Sequence, residues 1–171
     1  MSALLDLETR AAALLEAASY FSDVLVRAQH HGDLAAVIAE RLAAGVSKTD
    51  TKKPGLLVLV SVTGAGLGSG SSGSGFQPRP GRVLAALTVA VLENPLVNKG
   101  AAGSGKAALA VAEEVFKAIA HAGVHDVSTP TARFAPADPV IELLSPDEKR
   151  ARYGIEGGLG YHVHFTAGVN L

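Results

Sequence analysis

VLAALTVAVLENPLVNKGAAGSGKAALAVAEEVFKAIAHAG, residues 83–123, is the stretch that decides the fold. Its first part, Val83 to Glu93, is an apolar run rich in Val, Leu and Thr. Such a run suits a strand near the middle of a sheet, buried on at least one face. Asn94 and Pro95 stop it, because proline has no amide hydrogen for the ladder. After a Gly-rich connection, Ser104 to Gly123 predicts an amphipathic helix. Ala108, Val111, Ala112, Val115 and Ile119 form one stripe, flanked by Leu109 and Phe116. Lys106, Glu113, Glu114, Lys117 and His121 fall opposite. Ser104 is placed to cap the start, and Gly123 to end the helix in a left-handed turn. The rest of the chain can pack on this unit.

Working outward, Ser2 to Ala18 predicts a first helix, with Leu4, Leu7, Ala11, Leu14, Leu15 and Ala18 on one face. VLVRAQ, within Tyr20 to Gln29, suits a short strand. Asp33 is placed to cap a second helix, Leu34 to Ala44, which Gly45 ends. LLVLVSV, Leu56 to Val62, is the second strong strand. The Gly/Ser-rich segment within residues 64–81 reads as a flexible hairpin loop between the two strong strands. Val124 to Pro136 reads as irregular, PVIELL (Pro139 to Leu144) as a short strand and Ser145 to Gly158 as a charged turn segment that has room for a helical turn. At the end, Tyr161, Val163 and Phe165 alternate with His162, His164 and Thr166, the pattern of a strand with one buried face. The expected fold is α+β: a single domain over residues 1–171, its mainly antiparallel sheet of four to five strands packed against two to three helices.

A chain of 171 residues can bury a real core. The net charge of -1 comes from mixed acids and bases, which argues against a dedicated nucleic-acid footprint. There is no cysteine, hence no disulfide, thiolate metal site or cysteine nucleophile. No uncharged apolar run reaches the roughly 18 residues that suggest a membrane span. The first residues lack the basic region of a secretory signal.

The candidate sites are weak. GAAGSGK, Gly100 to Lys106, fits the core of a phosphate-binding loop. Ala107 stands where a hydroxyl should hold magnesium, and the loop does not follow the strand directly, so a Gly-rich helix start is the better reading. Gly68, Gly70 and Gly73 match a dinucleotide fingerprint, but no helix follows them. His162 and His164 share a strand face and could hold a metal with a third ligand such as His121 or His125; two histidines on the wetter face is the plainer reading. His30-His31 reads as a surface pair. Glu93 and Glu142, considered as paired carboxylates, read as strand residues facing water. No nucleophile elbow is present, since Gly68 to Ser72 reads GSGSS. No catalytic, cofactor-binding or metal-ligating residue is assigned.

In order, the chain offers a helix, a strand, a helix ending in ERLAAG (Glu40 to Gly45), the strand PGLLVLVSV with a long loop, TVAVLENPLVNKG (Thr88 to Gly100), an amphipathic helix and the strand YHVHFTAGVNL. In this order it resembles the tail terminator family of tailed bacteriophages and related prophages, over nearly its full length. VLENPLVNKG followed by a helix is the most specific part. The resemblance implies a structural virion protein of the tail, assembled in the host cytoplasm, with no enzymatic activity and no cofactor. It implies a ring, usually of six copies, on the last ring of tube protein, which ends tube growth and faces the head-side connector. DNA could pass through its lumen, with no sequence-specific or membrane contact. The alternatives are a tail tube or other completion protein of the same virion and, more remotely, a small nucleotide-binding enzyme using Gly100 to Lys106.

Overall fold

The computed structural model describes residues 2–30, 34–42, 55–66, 81–98, 106–120, 122–124 and 132–170. The elements in order are α1 (Ala3–Ala17), a 3-10 turn (Ser19–Phe21), β1 (Leu25–Ala28), α2 (Leu34–Leu42), β2 (Leu56–Gly66), β3 (Arg82–Glu93), α3 (Ala108–Ile119), β4 (Gly123–Val124), β5 (Ala132–Leu143), α4 (Pro146–Tyr153) and β6 (Leu159–Asn170). The strands form one six-stranded sheet in the order β1-β2-β3-β6-β5-β4. The class is α+β. Against expectation, the described residues hold six strands and four α-helices.

The apolar run of β3 is central because it pairs on both sides. It runs antiparallel to β2, with Leu59 opposite Ala90, and antiparallel to β6, with Val89 opposite Val163. The expected β2–β3 hairpin is present. β1 instead pairs parallel to β2, Leu25 against Leu57. Parallel strands need a crossover, and α2 lies in that connection.

Alternation divides the core in two. Leu56, Val58 and Val60 of β2 point to the face covered by α1 and α3, together with Leu87, Val89, Val163 and Phe165. Leu57 and Leu59 point to the other face, with Leu25, Ala90, Leu92, Ile38 and Leu42. α3 buries the expected stripe of Ala108, Val111, Ala112, Val115 and Ile119. Each fully buried Val or Ile side chain contributes roughly 1.5–3 kcal/mol. Phe116 stacks on Phe165 at 6.4 Å between ring centroids.

Several local expectations change. α3 starts at Ala108 and ends at Ile119; Gly123 belongs to β4, and Ser104 lies outside the described residues. Gly64 to Gly66 continue β2 opposite Ala86 to Leu84, so this part of the expected flexible loop is paired strand; residues 67–80 lie outside the described ones. Residues 132–136, expected to be irregular, begin β5, whose register against β6 shifts between Pro136 and Ile141. The two prolines fit because β4 pairs with Ala132 and Arg133 alone, so among the described residues the outer side of β5 beyond Arg133 is an edge, which needs no amide. The charged segment after Leu144 is a helix, α4. Ser145 and Glu148 form a capping box, Pro146 opens the first turn and Gly154 closes the last at φ 67°.

Candidate functional site

The corner Glu93 to Asn98 is a built junction. Glu93, expected to face water, is 2% exposed. Its Oε2 accepts from the backbone N–H of Ala108 at 2.7 Å, and its Oε1 accepts from Asn98 Nδ2 at 2.7 Å. The carboxylate therefore caps α3, where the free N–H groups and the helix dipole favour an anion. Asn98 Nδ2 also donates to the Lys106 carbonyl at 3.0 Å. Asn94 Nδ2 donates to the Leu42 carbonyl at 2.5 Å, and the Asn94 N–H donates to the Gly55 carbonyl at 2.8 Å. Glycines let two chains approach this corner. A Cβ on Gly55 would lie 2.5 Å from the Asn98 nitrogen, and one on Gly158 would lie 2.2 Å from the Glu93 carbonyl oxygen.

This end of the sheet exposes large apolar side chains. Leu96, at the tip of the corner, is 86% exposed. Leu143 is opposite Tyr161, Leu159 is two residues before Tyr161 on the same face, and both leucines are exposed. Leu109 is exposed in the first turn of α3. It lies two turns before Phe116 on one side of the helix. Phe116 sits on Phe165, and α3 starts beside Glu93, the partner of Leu159, so Leu109 lies toward the Tyr161 end of β6. Leu143 and Leu159 thus lie at the Glu93 end of the sheet, from which Leu96 follows and near which α3, with Leu109, begins.

Lys106 ends the phosphate-loop motif; residues 99–105 of that loop lie outside the described ones. The lysine, expected on the open polar side of the helix, is instead engaged by neighbouring groups. Its Nζ meets Asp23 Oδ1 at 2.5 Å, donates to the Tyr20 carbonyl and lies 4.3 Å from the centre of the Tyr20 ring. These contacts tie the start of α3 to the turn after α1 and occupy the ammonium that a phosphate would need. Gly68, Gly70 and Gly73 lie outside the described residues.

The histidines divide. His162, expected on a wetter face, is 2% exposed, because α4 lies over that half of the sheet. Its Nε2 is 2.7 Å from the Tyr153 hydroxyl. Burial, with His164 beside it, lowers the His162 pKa to about 4. Burial likewise raises that of Tyr153 to about 12. His164 bridges two strands: Nδ1 is 3.2 Å from Thr88 Oγ1, and Nε2 is 3.2 Å from Glu142 Oε2. The expected third partners, His121 and His125, lie outside the described residues; Glu142 stands in that place. His30 is exposed as expected, but its Nδ1 and backbone N–H both donate to Glu8 Oε1, at 2.8 and 2.9 Å. Glu8 is buried and also accepts from the Val62 N–H at 3.2 Å, so it joins α1 to β2. His31 lies outside the described residues.

The hydroxyl, imidazole and carboxylate of Thr88, His164 and Glu142 have the composition of a nucleophile relay. Thr88 is unsuited to attack. It is buried in mid-strand, its hydroxyl is 3.1 Å from that of Thr63, and its strand is paired on both sides. Among the described residues, no helix is long and apolar enough to cross a membrane. No protein-family model matches the chain, and no curated protein matches it significantly.

Proposed function

We propose that the protein is a structural subunit of a phage or phage-derived tail. It forms a ring on the head-proximal end of the tail tube, ends elongation and offers its other side to the head connector. The ring, its six-fold count and its assembly in the host cytoplasm follow from the tail-terminator resemblance.

The supporting observation is the corner Glu93 to Asn98. This corner, within the most specific part of the resemblance, is held by buried and part-buried hydrogen bonds to α2, α3 and the Gly55 turn. It carries the exposed Leu96 three residues beyond Glu93, whose strand partner is the exposed Leu159. A rigid mount for exposed apolar side chains suits an assembly surface. The sheet edges suit closure rather than open growth. β1 has four residues, and β5, which among the described residues is open on its outer side beyond Arg133, carries Pro136 and Pro139 near its register shift. Short and proline-broken edges discourage endless strand addition. Contacts between unlike faces of successive copies would then close a ring.

The test is co-sedimentation with preassembled tubes of the same virion's tube protein. Binding should saturate at one ring per tube end, whatever the tube length. Binding that rises in proportion to tube length would reject the capping role in favour of a tube-like one.

A further inference from the structure

We infer that Glu142, His162 and His164 form a binding site for one divalent transition-metal ion of the Zn2+ class. The sheet register brings the three together. Glu142 is directly opposite His162 across the β5–β6 ladder. His164 is two residues further along β6, on the same face. One donor atom from each lies within 4.8 Å of the other two. In a tetrahedral zinc site, bonds of about 2.0–2.1 Å put donors about 3.4 Å apart. His164 Nε2 and Glu142 Oε2, at 3.2 Å, already have that spacing. Only the distances to His162 must close. Glu142 is exposed and can rotate, whereas His162 is buried and fixed.

The surroundings supply what ligands of this kind need. An imidazole on a metal is oriented by a partner at its other nitrogen. His164 Nδ1 has the Thr88 hydroxyl, which can accept from it once Nε2 binds the ion. The Tyr153 hydroxyl lies 2.7 Å from His162 Nε2, so His162 would ligate through Nδ1 with its ring held by Tyr153. Beside His164 and Glu142 opens a cleft of about 300 Å³, also lined by Thr63, Thr88 and Asp138. A further ligand or water could therefore reach the ion. Two imidazoles and one carboxylate favour zinc, cobalt or nickel over calcium or magnesium, which prefer all-oxygen sites. This site lies on the face of α2 and α4, opposite the Tyr161–Leu159 row, and does not depend on the ring reading.

Isothermal titration of tag-free, EDTA-stripped protein with ZnCl2 tests the site. One ion should bind per chain with a micromolar or tighter Kd, and zinc should raise Tm. Glu142→Gln alters an exposed side chain and His164→Ala a partly exposed one outside both apolar clusters, so both should fold. Each should weaken binding by about tenfold or more and lose the zinc-dependent Tm rise. Cobalt should give the strong visible absorption of a four-coordinate ion in the wild type alone. No saturable binding below about 100 μM would overturn the site. So would equal binding by both variants, which would place the ion on other histidines.

Discussion

Glu93 Oε2 lies 2.7 Å from the backbone nitrogen of Ala108, so the last residue of the central strand caps the helix that packs on it. One carboxylate joins the central strand to the helix that packs on it. Replacing it leaves two buried donors without their acceptor, the Ala108 N–H and one from Asn98. Glu93→Ala should therefore cost about 2–4 kcal/mol, read as a lower urea midpoint at unchanged m. Glu93→Gln should cost less, because its amide oxygen can still accept from Ala108. A loss under about 1 kcal/mol for Glu93→Ala would show that the cap is dispensable.

Lys106 carries a smaller but similar weight. Lys106→Ala removes a half-buried ion pair with Asp23 and the contact with the Tyr20 ring, and should cost about 1–2 kcal/mol. Since the ammonium is already engaged, ATP and GTP should show no saturable binding below about 1 mM in either protein. A submillimolar Kd that disappears in Lys106→Ala would restore the phosphate-loop reading.

His162 makes stability depend on pH. Its folded pKa, about 4, is below the value of 6.5 expected when unfolded. Between those values the unfolded chain holds a proton that the folded chain lacks. The contribution is whole above about pH 6.5 and is lost as pH falls toward 4. A shift of that size corresponds to about 3 kcal/mol at most, and solvation by neighbouring polar groups reduces it to roughly 1–3 kcal/mol. In EDTA, urea midpoints should fall over this window, and the fall should be shallower in His162→Gln. Equal pH slopes for the two proteins would contradict it.

The exposed leucines give an assembly prediction without a folding defect. Leu96 is 86% exposed, so Leu96→Glu should change the urea midpoint by no more than about 0.5 kcal/mol. The same change should weaken ring formation or tube-end binding by about tenfold or more, as measured by sedimentation. Normal assembly by both Leu96→Glu and Leu143→Glu would move the interface elsewhere.

Much of the core was readable because periodicity follows burial. The β2 and β3 runs and the five-residue stripe of α3 lie where their spacing puts them. The misses involve groups whose burial depends on distant partners. Glu93 reads as a surface acid until α3 is folded back onto it. Glu8 does have a signal: it falls between Leu4 and Ala11 on the inward side of α1, a position a carboxylate occupies only with donors to meet. His162 is hidden by α4, whose Asp, Glu, Lys and Arg read as a solvated turn; the Ser145–Glu148 capping box was its helix signal. The parallel β1–β2 pair has no local signature, since a crossover is defined by where the chain returns. The meeting of Glu142 with two histidines likewise depends on strand register, which the prolines of β5 obscure.

The capping role is tested most directly by the lengths of growing tubes. Tube protein of the same virion would be allowed to elongate, the purified protein added part-way, and tube lengths and ends measured by electron microscopy over time. The account predicts that lengths stop increasing once ends are saturated, with one ring at a single end of each tube. Continued elongation at saturating protein, or density spread along the tube wall, would contradict it.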